Sequence, residues 1–562
     1  MSRADPTVPD PARAAGRAPI VVIGGGPGGS TAATLLASSG HDVLLLERDH
    51  FPRAHIGESL LPASMPILEA LGVRDQLEAA GFLKKWGATM VWGSDPEPWS
   101  WYFRETNRRH PHSFQVERPQ FDKILLDNAR AAGVDAREGH RVLEVLFEQG
   151  AAVGVRFQDD AGREHTLPAA FVVDASGQGA VIGHALKLRQ WDPFFRNLAI
   201  YGYYEGARRL PGDDATNILV EAHADGWCWT IPLHTGRSSV GVVLDSERAQ
   251  PLIEREGVRA RFEAAIAGAP HTAALVGDAK LVDGPFVIKD WSYVSDEVVG
   301  DGYILVGDAA CFVDPLFSSG VHLALSSALL AAAYVTTALK DRELAAAAGP
   351  IYKALYYAQY RQFHEMAKLF YSSNRAADSY FWEARRILGD EGFSPRDAFI
   401  NAVAGQPPQG YERVVLERGD APTAFVESVQ AVEDERAARE RSVAEAHDEL
   451  LAAVPVLAPG MRVEVQPVLG DGEFEWGHVM ITATRPEGTP CSPLVVALLA
   501  RFDGEASVRD VLQSVCADFN LDAEAIAETV TAAVRILYVD GTIARLEGFA
   551  APGRAPLRRS QG

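Results

Sequence analysis

Cysteine is scarce in this chain, and long uninterrupted apolar runs are missing. Four cysteines occur among 562 residues and form no C-x-x-C pair, so neither a zinc site nor a disulfide framework is expected. No run of about 18 apolar residues occurs, so a membrane span is not expected. Residues 1–18 lack the apolar core of a signal peptide. We interpret them and residues 549–562 as disordered tails of a cytoplasmic protein.

Basic residues are outnumbered by acidic ones. The chain has 53 Lys and Arg against 75 Asp and Glu, which gives a formal net charge of −22. Such a surface repels phosphate backbones and anionic lipid, so nucleic acids and membranes are excluded as predicted partners. Hydrophobic residues make up 47% of the chain, as in ordinary globular proteins, and the length predicts two to four domains.

A strand–helix–strand pattern opens the chain. A β-branched run precedes the sequence GGGPGG at 24–29, a helical pattern follows, and a second strand ends at Glu47. Gly24 permits a tight turn, Gly26 lets the backbone approach a pyrophosphate, and Gly29 lets helix and strand pack closely. Glu47 is placed to accept hydrogen bonds from ribose hydroxyls. The pattern predicts an α/β fold with a Rossmann-type dinucleotide site, the alternative being an ordinary glycine-rich turn.

Two downstream features favour FAD over NAD. The sequence GDA at 307–309 follows a hydrophobic strand and resembles the ribityl-binding motif of the FAD monooxygenase-like family. The resemblance implies that Asp308 binds a ribityl hydroxyl, although a helix N-cap is its alternative role. Arg118 matches the arginine that such enzymes place near the cofactor. Its alternative is a surface ion pair.

A tryptophan pair distinguishes this chain from hydroxylases of the same fold. Trp227 and Trp229 lie in GWCWTIP at 226–232, and alternate positions of a strand share one face. Taken alone, they are an aromatic pair in a sheet core. The pattern W-x-W-x-I-P resembles the signature of the FADH2-dependent halogenases. That resemblance implies that the indoles shield the flavin from organic substrate, so that a halogen is oxidised instead.

A lysine downstream of a second halogenase-like motif is the predicted carrier of chlorine. The sequence GESLLP begins at Gly57, and Lys85 follows Glu58 by 27 residues, as the essential lysine does in the halogenases. Its amine can hydrogen-bond hypochlorous acid or trap its chlorine as a chloramine. The resemblance favours Lys85 over Lys84, the alternative being an ordinary surface lysine. Glu58 is taken as a second catalytic residue.

The loop DPLFSSG at 314–320 resembles the segment that holds halide beside the flavin. Backbone N–H groups of Ser319 and Gly320 at a helix N-terminus suit chloride. Tryptophan halogenases carry a glutamate in this loop, where Phe317 stands here. This departure argues against indole substrates and towards the phenol, pyrrole and chloramphenicol-halogenase-like branch.

Two further residues are assigned only through that branch. The sequence KDWSY at 289–293 resembles a motif whose aspartate is esterified to the flavin, so Asp290 is a candidate for covalent FAD attachment. Its alternative is a strand-end carboxylate. Tyr371 matches a tyrosine that lines the substrate site.

The resemblance covers nearly the whole chain and implies its domains. We expect a halogenase core at 19–345 that combines the FAD-binding domain with a substrate-side β-sheet. A helical region and linker is expected at 346–454. A winged-helix-like C-terminal domain is expected at 455–548, because strands, three helices and a last strand follow one another there.

The implied activity is chlorination in secondary-metabolite, antibiotic-type biosynthesis. Reduced FAD from a separate flavin reductase, dioxygen and chloride would yield hypochlorous acid, which reaches Lys85. The expected substrate is an electron-rich phenolic, pyrrolic or activated acyl group, free or tethered to a carrier protein. The alternatives are an FAD-dependent hydroxylase or reductase and, for the C-terminal domain, a module that binds a carrier protein or peptide.

Overall fold

The computed structural model describes residues 18–93, 96–105, 107–374, 434–444, 446–483 and 485–549, without the side chains at 290, 291, 373, 486 and 487. The predictions for nearly all of both tails and for residues 375–433 of the helical region therefore lie outside the described residues. The described chain forms two compact units. Unit 1 contains residues 18–374 and the short segment 471–473, and unit 2 contains the rest.

The strands of unit 1 are β1 (Ile20–Ile23), β2 (Val43–Leu46), β3 (Leu83–Lys85), β4 (Gly87–Val91), β5 (Trp99–Tyr102), β6 (Ser113–Gln115), β7 (Asp135–Arg137), β8 (Arg141–Glu148), β9 (Ala151–Gln158), β10 (Glu164–Pro168), β11 (Phe171–Asp174), β12 (Arg189–Glu205), β13 (Ile218–His223), β14 (Gly226–Pro232), β15 (Arg237–Asp245), β16 (Lys280–Ser295), β17 (Val299–Gly300), β18 (Tyr303–Leu305) and β19 (Cys311–Phe312). Its helices are α1 (Pro27–Ser38), α2 (Met65–Ala70), α3 (Arg74–Ala79), α4 (Arg118–Ala131), α5 (Val181–Ala185), α6 (Ser246–Glu256), α7 (Val258–Ala267), α8 (Pro270–Val276), α9 (Gly320–Lys340) and α10 (Arg342–Ser373).

A six-stranded sheet forms the nucleotide-binding half of unit 1, in the order β17-β18-β11-β1-β2-β7. All its neighbours are parallel except the edge pair of β17 and β18. Every residue of β1 and β2 is buried, as expected for a parallel sheet covered on both faces. Helix α1 follows β1 and packs against α4 and α9. The predicted Rossmann-type α/β fold is confirmed.

An eight-stranded sheet forms the other half of unit 1, in the order β19-β16-β12-β15-β14-β13-β4-β5. Its pairs are antiparallel apart from β13 and β4. Its strands β12 to β15 lie between residues 189 and 245. The short hairpin-like pair of β3 and β6 and the three-stranded sheet β10-β9-β8 complete the strands described for this unit.

Helix α9 is the central helix of unit 1. By length and composition alone it is apolar enough to cross a membrane, but 78% of its most apolar window is buried inside the protein. Helix α10 follows and is tied to the parallel sheet. Tyr352 Oη donates to the carbonyl of Leu305 at 2.7 Å, and Tyr356 Oη donates to that of Gly307 at 3.0 Å. The predicted domain boundary at residue 345 falls inside α10.

Unit 2 has its own hydrophobic core. Residues 434–443 are helical, and the other elements are α11 (Asp448–Ala452), β20 (Val454–Leu457), β21 (Arg462–Leu469), β22 (Phe474–Thr482), β23 (Arg485–Cys491), α12 (Pro493–Leu499), α13 (Val508–Phe519), α14 (Ala523–Val539) and β24 (Ile543–Glu547). Two helices of unit 2 begin at serine caps. Ser492 accepts from the backbone of Val495, and Ser507 and Asp510 form a capping box. The winged-helix-like assignment stays a prediction.

Candidate active site

Unit 1 contains a large cavity of about 710 Å³, lined by residues of both sheets and by the N-terminus of α9. Its volume is in the range of cofactor and ligand sites. The predicted residues that line it include Gly24, Gly26, Glu47, Arg118, Asp308 and Gly320. The sequence motifs therefore meet in one place, although they are separated by almost 300 residues along the chain.

The glycine turn leaves no room for side chains. Gly24 has φ +99°, and a Cβ there would lie 2.5 Å from the carbonyl oxygen of Ala175. A Cβ on Gly29 would lie 1.9 Å from the carbonyl oxygen of Gly24. Beside the turn, Arg53 lines the cavity, and its buried Nε makes no hydrogen bond with the described residues. The guanidinium forms ion pairs with Asp122 at 3.5 Å and with Asp49 at 4.0 Å, and its Nε–H without an acceptor next to a helix N-terminus fits a phosphate. Sequence reasoning missed Arg53.

Glu47 is held at the end of β2 by the backbone. Its Oε2 accepts from the N–H of Gly25 at 2.6 Å, and its Oε1 accepts from the N–H of Asp49 at 2.8 Å. Each carboxylate oxygen has a second lone pair. The fixed carboxylate can therefore accept hydroxyl donors of a ribose in the cavity.

Asp308 and Arg118 line the same cavity. Burial raises the pKa of Asp308 to about 6, and Arg118 and Arg189 offset only part of this. No donor from the described part of the chain reaches its carboxylate, so it fits a ligand hydroxyl such as that of a ribityl chain. Arg118 is 4% exposed and donates to both carboxylate oxygens of Asp122 at 2.7 and 2.9 Å. Its ion pair is buried rather than superficial. Together these residues fit FAD.

The tryptophan pair forms part of the cavity wall. Trp227 and Trp229 are both buried, and their ring centroids are 6.0 Å apart. Trp229 lies opposite Gly241 on β15, where a Cβ would come within 2.0 Å of the indole ring. Gly241 is therefore required for the position of Trp229. The sequence gives no local signal for it, because the requirement arises from the register of β14 and β15.

Tyr371 does not line the cavity but lies behind Trp227. Trp227 Nε1 donates to Tyr371 Oη at 2.5 Å, and Tyr371 Oη donates to Asp314 Oδ2 at 3.0 Å. Asn197 Nδ2 donates to the same carboxylate oxygen at 3.2 Å. Tyr371 is fully buried. The buried tyrosine thus links the indole wall to the loop at 314–320, and its predicted role at the substrate site stays a prediction.

The predicted halide loop ends at the N-terminus of α9. Asp314 accepts from the N–H of Leu316 at 3.0 Å, Ser318 is left-handed at φ 57°, and Ser319 is the N-cap residue. Ser319 and Gly320 both line the cavity. The first N–H groups of a helix lack intrahelical acceptors and attract anions. The geometry is compatible with halide at this point.

Glu58 lines the cavity and is 2% exposed. Tyr203 Oη on β12 donates to Glu58 Oε1 at 2.7 Å, and the N–H of Gly57 donates to Oε2 at 3.1 Å. Burial raises the pKa of Glu58, and these hydrogen bonds oppose the rise. Tyr203 was not predicted from the sequence, since only the fold brings β12 next to this segment.

Lys85 is buried, whereas Lys84 is not. Lys85 is 2% exposed, its Nζ donates to the carbonyl of Leu60 at 3.2 Å, and it lies 5.5 Å from the ring centroid of Phe103. Burial lowers the pKa of Lys85 to about 7. No carboxylate among the described residues forms an ion pair with it. Lys84 lies partly exposed and pairs with Glu78 at 3.2 Å. The Lys85 amine can therefore lose its proton near neutral pH.

Lys85 does not line the large cavity, but its amine contacts the residue that follows the lining residues Glu58 and Ser59. Glu58 and Ser59 line the cavity, and the next residue, Leu60, accepts the hydrogen bond from Lys85. A smaller cavity of about 370 Å³ is lined by Trp86 and Arg104 among others. It adjoins the lysine strand, because Trp86 directly follows Lys85.

Asp290 lies on β16, opposite Asn197 of β12. Ile288, two positions earlier on β16, lines the large cavity. The side chain of Asp290 is outside the described residues, so its attachment to FAD stays a prediction.

Known proteins resemble the chain over most of its length. The family described as "Tryptophan halogenase" matches residues 103–394, and "FAD dependent oxidoreductase" matches 19–185. A tryptophan 2-halogenase of Chondromyces crocatus is 35% identical over 415 residues, which are 72% of this chain and 77% of that protein. The myxobacterial chondrochloren halogenase CndH is 42% identical, with a TM-score of 0.63, over 69% of this chain and 90% of that one. The flavin-dependent halogenase CmlS is 28% identical, with a TM-score of 0.70, over 94% of this chain and 96% of that one.

Proposed function

This chain belongs to the flavin-dependent halogenases, and we propose that its Lys85 transfers chlorine from hypochlorous acid to an electron-rich phenolic, pyrrolic or activated acyl substrate. The family uses FAD and halide, and its members generally need a separate flavin reductase. Bound reduced FAD supplies the electrons with which dioxygen is activated to oxidise the halide. We place the reaction in the cytoplasm and in secondary-metabolite biosynthesis.

The buried amine of Lys85 carries the proposal. A primary amine attacks the chlorine of hypochlorous acid only through its lone pair, so it must be neutral. With a pKa of about 7, roughly half of the Lys85 amines are neutral at pH 7, unlike an exposed lysine near 10.4. The absence of an ion-pair partner among the described residues preserves that state. Trp227 and Trp229 support the proposal, because bulky indoles in the cavity wall keep an organic substrate from the flavin.

The smaller cavity beside β3 is our candidate for the substrate site. Trp86 and Tyr102 offer aromatic faces there, and Arg104 offers a cation. Phe103 lies between Tyr102 and Arg104 in the chain, and its ring is the one below the Lys85 amine. A planar electron-rich ring in this cavity would stand beside the lysine strand, because Trp86 directly follows Lys85.

The exchange of Lys85 for methionine tests the role of the amine. Methionine keeps an unbranched apolar chain of similar length but cannot hold chlorine as a chloramine. We expect Lys85→Met to consume reduced flavin at close to the wild-type rate and to form at least about 100-fold less chlorinated product. Mass spectrometry of products measures this, with Lys84→Met as the matched control that retains activity. Normal chlorination by Lys85→Met would refute the role.

The substrate class requires a panel of compounds in the same assay. It should contain phenolic, pyrrolic and activated acyl compounds, each free and tethered to a carrier protein, because residues 455–548 are our candidate for carrier docking. Tryptophan belongs in the panel, since one relative is named a tryptophan 2-halogenase. Phe317, in place of the glutamate of tryptophan halogenases, leads us to expect no chlorinated tryptophan.

We further propose that Asp290 binds FAD covalently as an ester. Denaturing gel electrophoresis of the purified protein should then show flavin fluorescence that migrates with the polypeptide. Asp290→Asn, which cannot form the ester but keeps the side-chain size, should release its flavin under the same conditions. Flavin lost from the wild-type protein on denaturation would contradict this attachment and leave the halogenase proposal intact.

A further inference from the structure

Two polar atoms near Lys85 have no hydrogen-bond partner among the described residues. They are Ser59 Oγ and Gln115 Oε1, on side chains that are 4% and 0% exposed. Ser59 also lines the large cavity. A buried polar group left unpaired costs about 1–3 kcal/mol. Ser59 lies in the cavity wall and Gln115 lies opposite it in a strand bridge, so one ligand at this point would pair with both.

The strand register puts both side chains on the face that carries the amine. Ser59 lies opposite Gln115 in an antiparallel bridge, and Lys85 lies opposite Ser113, two residues before Gln115 on β6. Opposite residues share a face, and so do alternate residues of one strand. Lys85 Nζ and Ser113 Oγ donate to one carbonyl, that of Leu60, at 3.2 and 2.7 Å. The side chains therefore converge.

The orientation of the Gln115 amide determines which hydrogen-bonding groups the ligand must have. Gln115 Nε2 donates to the carbonyl of Thr216 at 3.2 Å. A carbonyl only accepts, so Nε2 must face it and Oε1 must face away. Oε1 thus requires a donor, whereas the Ser59 hydroxyl can donate or accept. A matching ligand is small, neutral and able to do both, which describes a single hydroxyl compound.

We propose that Ser59 and Gln115 form, together with Lys85, a binding site for one small hydroxyl compound, which is water in the resting protein and hypochlorous acid during halogenation. This inference rests on the proposed function, which supplies the hypochlorous acid. The O–H of the ligand donates to Gln115 Oε1, and its oxygen accepts from Ser59 Oγ. The chlorine is then turned towards the amine.

The transfer in this site is balanced without another reactant. The lone pair of Lys85 Nζ forms an N–Cl bond as the O–Cl bond breaks. The departing oxygen takes a proton from the same nitrogen, which gives water and a neutral chloramine. The chlorine enters already oxidised, so no further oxidant is consumed. Ser59 Oγ, as the donor, stabilises the negative charge that develops on the departing oxygen, whereas Gln115 Oε1 orients its O–H, and both then retain the product water.

The first test separates transfer to Lys85 from escape into solution. The full-length protein with FAD, a flavin reductase, NADH and chloride is assayed without organic substrate but with taurine. Protein-bound chloramine, measured with thionitrobenzoate after gel filtration, reports transfer, and taurine chloramine reports escape. Lys85→Met gives the background. We expect Ser59→Ala and Gln115→Leu each to lower the ratio of bound to escaped chlorine about tenfold, as loss of one hydrogen bond predicts.

Ser64→Ala is the matched control for this assay. Ser64 is fully buried, and its hydroxyl also lacks a partner among the described residues, but it lies in the turn before α2. It should keep the wild-type ratio. If the wild type yields no oxidised chlorine in either pool, the proposed function fails. If the wild type yields it and both variants keep the wild-type ratio, the function stands and this inference is overturned.

A second test does not depend on turnover. A high-resolution crystal structure of the resting protein with its FAD should show one ordered water within hydrogen-bonding distance of Ser59 Oγ and Gln115 Oε1. The Gln115→Leu crystal should lack it, because leucine cannot accept a hydrogen bond. A dry site in the wild type, or protein donors that satisfy both atoms, would overturn the proposal.

Discussion

At the scale of single residues, the proposed chemistry depends on how far burial shifts the pKa of a lysine side chain. An exposed lysine keeps its proton at pH 7 and cannot attack an electrophile. Lys85 lies in an apolar setting with Phe103 below its amine and a carbonyl as its hydrogen-bond acceptor. No carboxylate among the described residues forms an ion pair with the amine, and such a pair would raise its pKa back towards the ordinary value. Adjacent Lys84 lacks this setting, because its amine is partly exposed and forms an ion pair with Glu78.

The pH dependence of chloramine formation follows from this pKa. The neutral amine reacts with neutral hypochlorous acid, so formation of protein-bound chloramine should rise with a midpoint near pH 7 as the amine loses its proton, and should fall again at alkaline pH as hypochlorous acid ionises. Gln115→Glu puts a carboxylate on the same face and should raise the Lys85 pKa, which shifts the midpoint to higher pH. The measurement is the initial rate of chloramine formation from pH 5.5 to 9. A flat profile would contradict a titrating amine.

At this scale the sequence predicts residues whose partners are local and misses those whose partners are distant. Gly24, Gly26 and Glu47 belong to one strand–turn–helix–strand unit, so spacing alone suggests their roles. Tyr203 and Gly241 act through contacts across separate strands, with Glu58 and Trp229 respectively. Only a known register reveals such pairs.

Elements of unit 1 are fastened together by buried polar contacts as well as by packing. His364 of α10 and Asp192 of β12 form a hydrogen-bonded pair at 2.5 Å. Burial opposes the positive charge, but Asp192 and Glu365 outweigh it and raise the pKa of His364 to about 9. The pair connects α10, which contains Tyr371, to β12, which contains Tyr203. It therefore stabilises the relative position of two elements of the site.

The stability of unit 1 should therefore fall at alkaline pH. A pKa raised from 6.5 to about 9 contributes stability that is complete below pH 6.5 and is lost as the pH rises through about 9. The contribution is on the order of 3 kcal/mol. His364→Gln should remove it, and its melting temperature should change less between pH 6 and pH 10 than that of the wild type. Parallel curves for the two proteins in thermal melts would contradict the assignment.

Among elements, those with strong local signals are predicted and those set by packing are not. The caps of α12 and α13 and the βαβ opening appear where the sequence places them. Residues 60–81, in contrast, form a turn and two short helices. Gly72, at φ +71°, ends the first of these helices. The domain boundary predicted at 345 stays a prediction; α10 continues through that position and is held to the parallel sheet by hydrogen bonds of Tyr352 and Tyr356.

On the scale of the whole molecule, the chain separates cofactor binding from the C-terminal unit. The large cavity is lined by residues of unit 1, whereas unit 2 has a hydrophobic core of its own. A ligand that binds only the folded form of a unit stabilises that unit by mass action. Two units with separate cores need not unfold in a single transition.

Differential scanning calorimetry of the Asp290→Asn protein, from which flavin can be removed, tests this division when the flavin-free and FAD-saturated forms are compared. We expect two transitions, of which FAD raises only one. The other should be lowered by Ser507→Ala, which removes the capping box of α13 and costs about 1 kcal/mol in unit 2. Ser39→Ala is the control, because that exposed hydroxyl contacts only the carbonyl of Leu35 in its own helix. It should leave the transition that Ser507→Ala lowers unchanged. A single transition that responds equally to FAD and to Ser507→Ala would show that the two units unfold together, because coupled cores share every gain and loss of free energy.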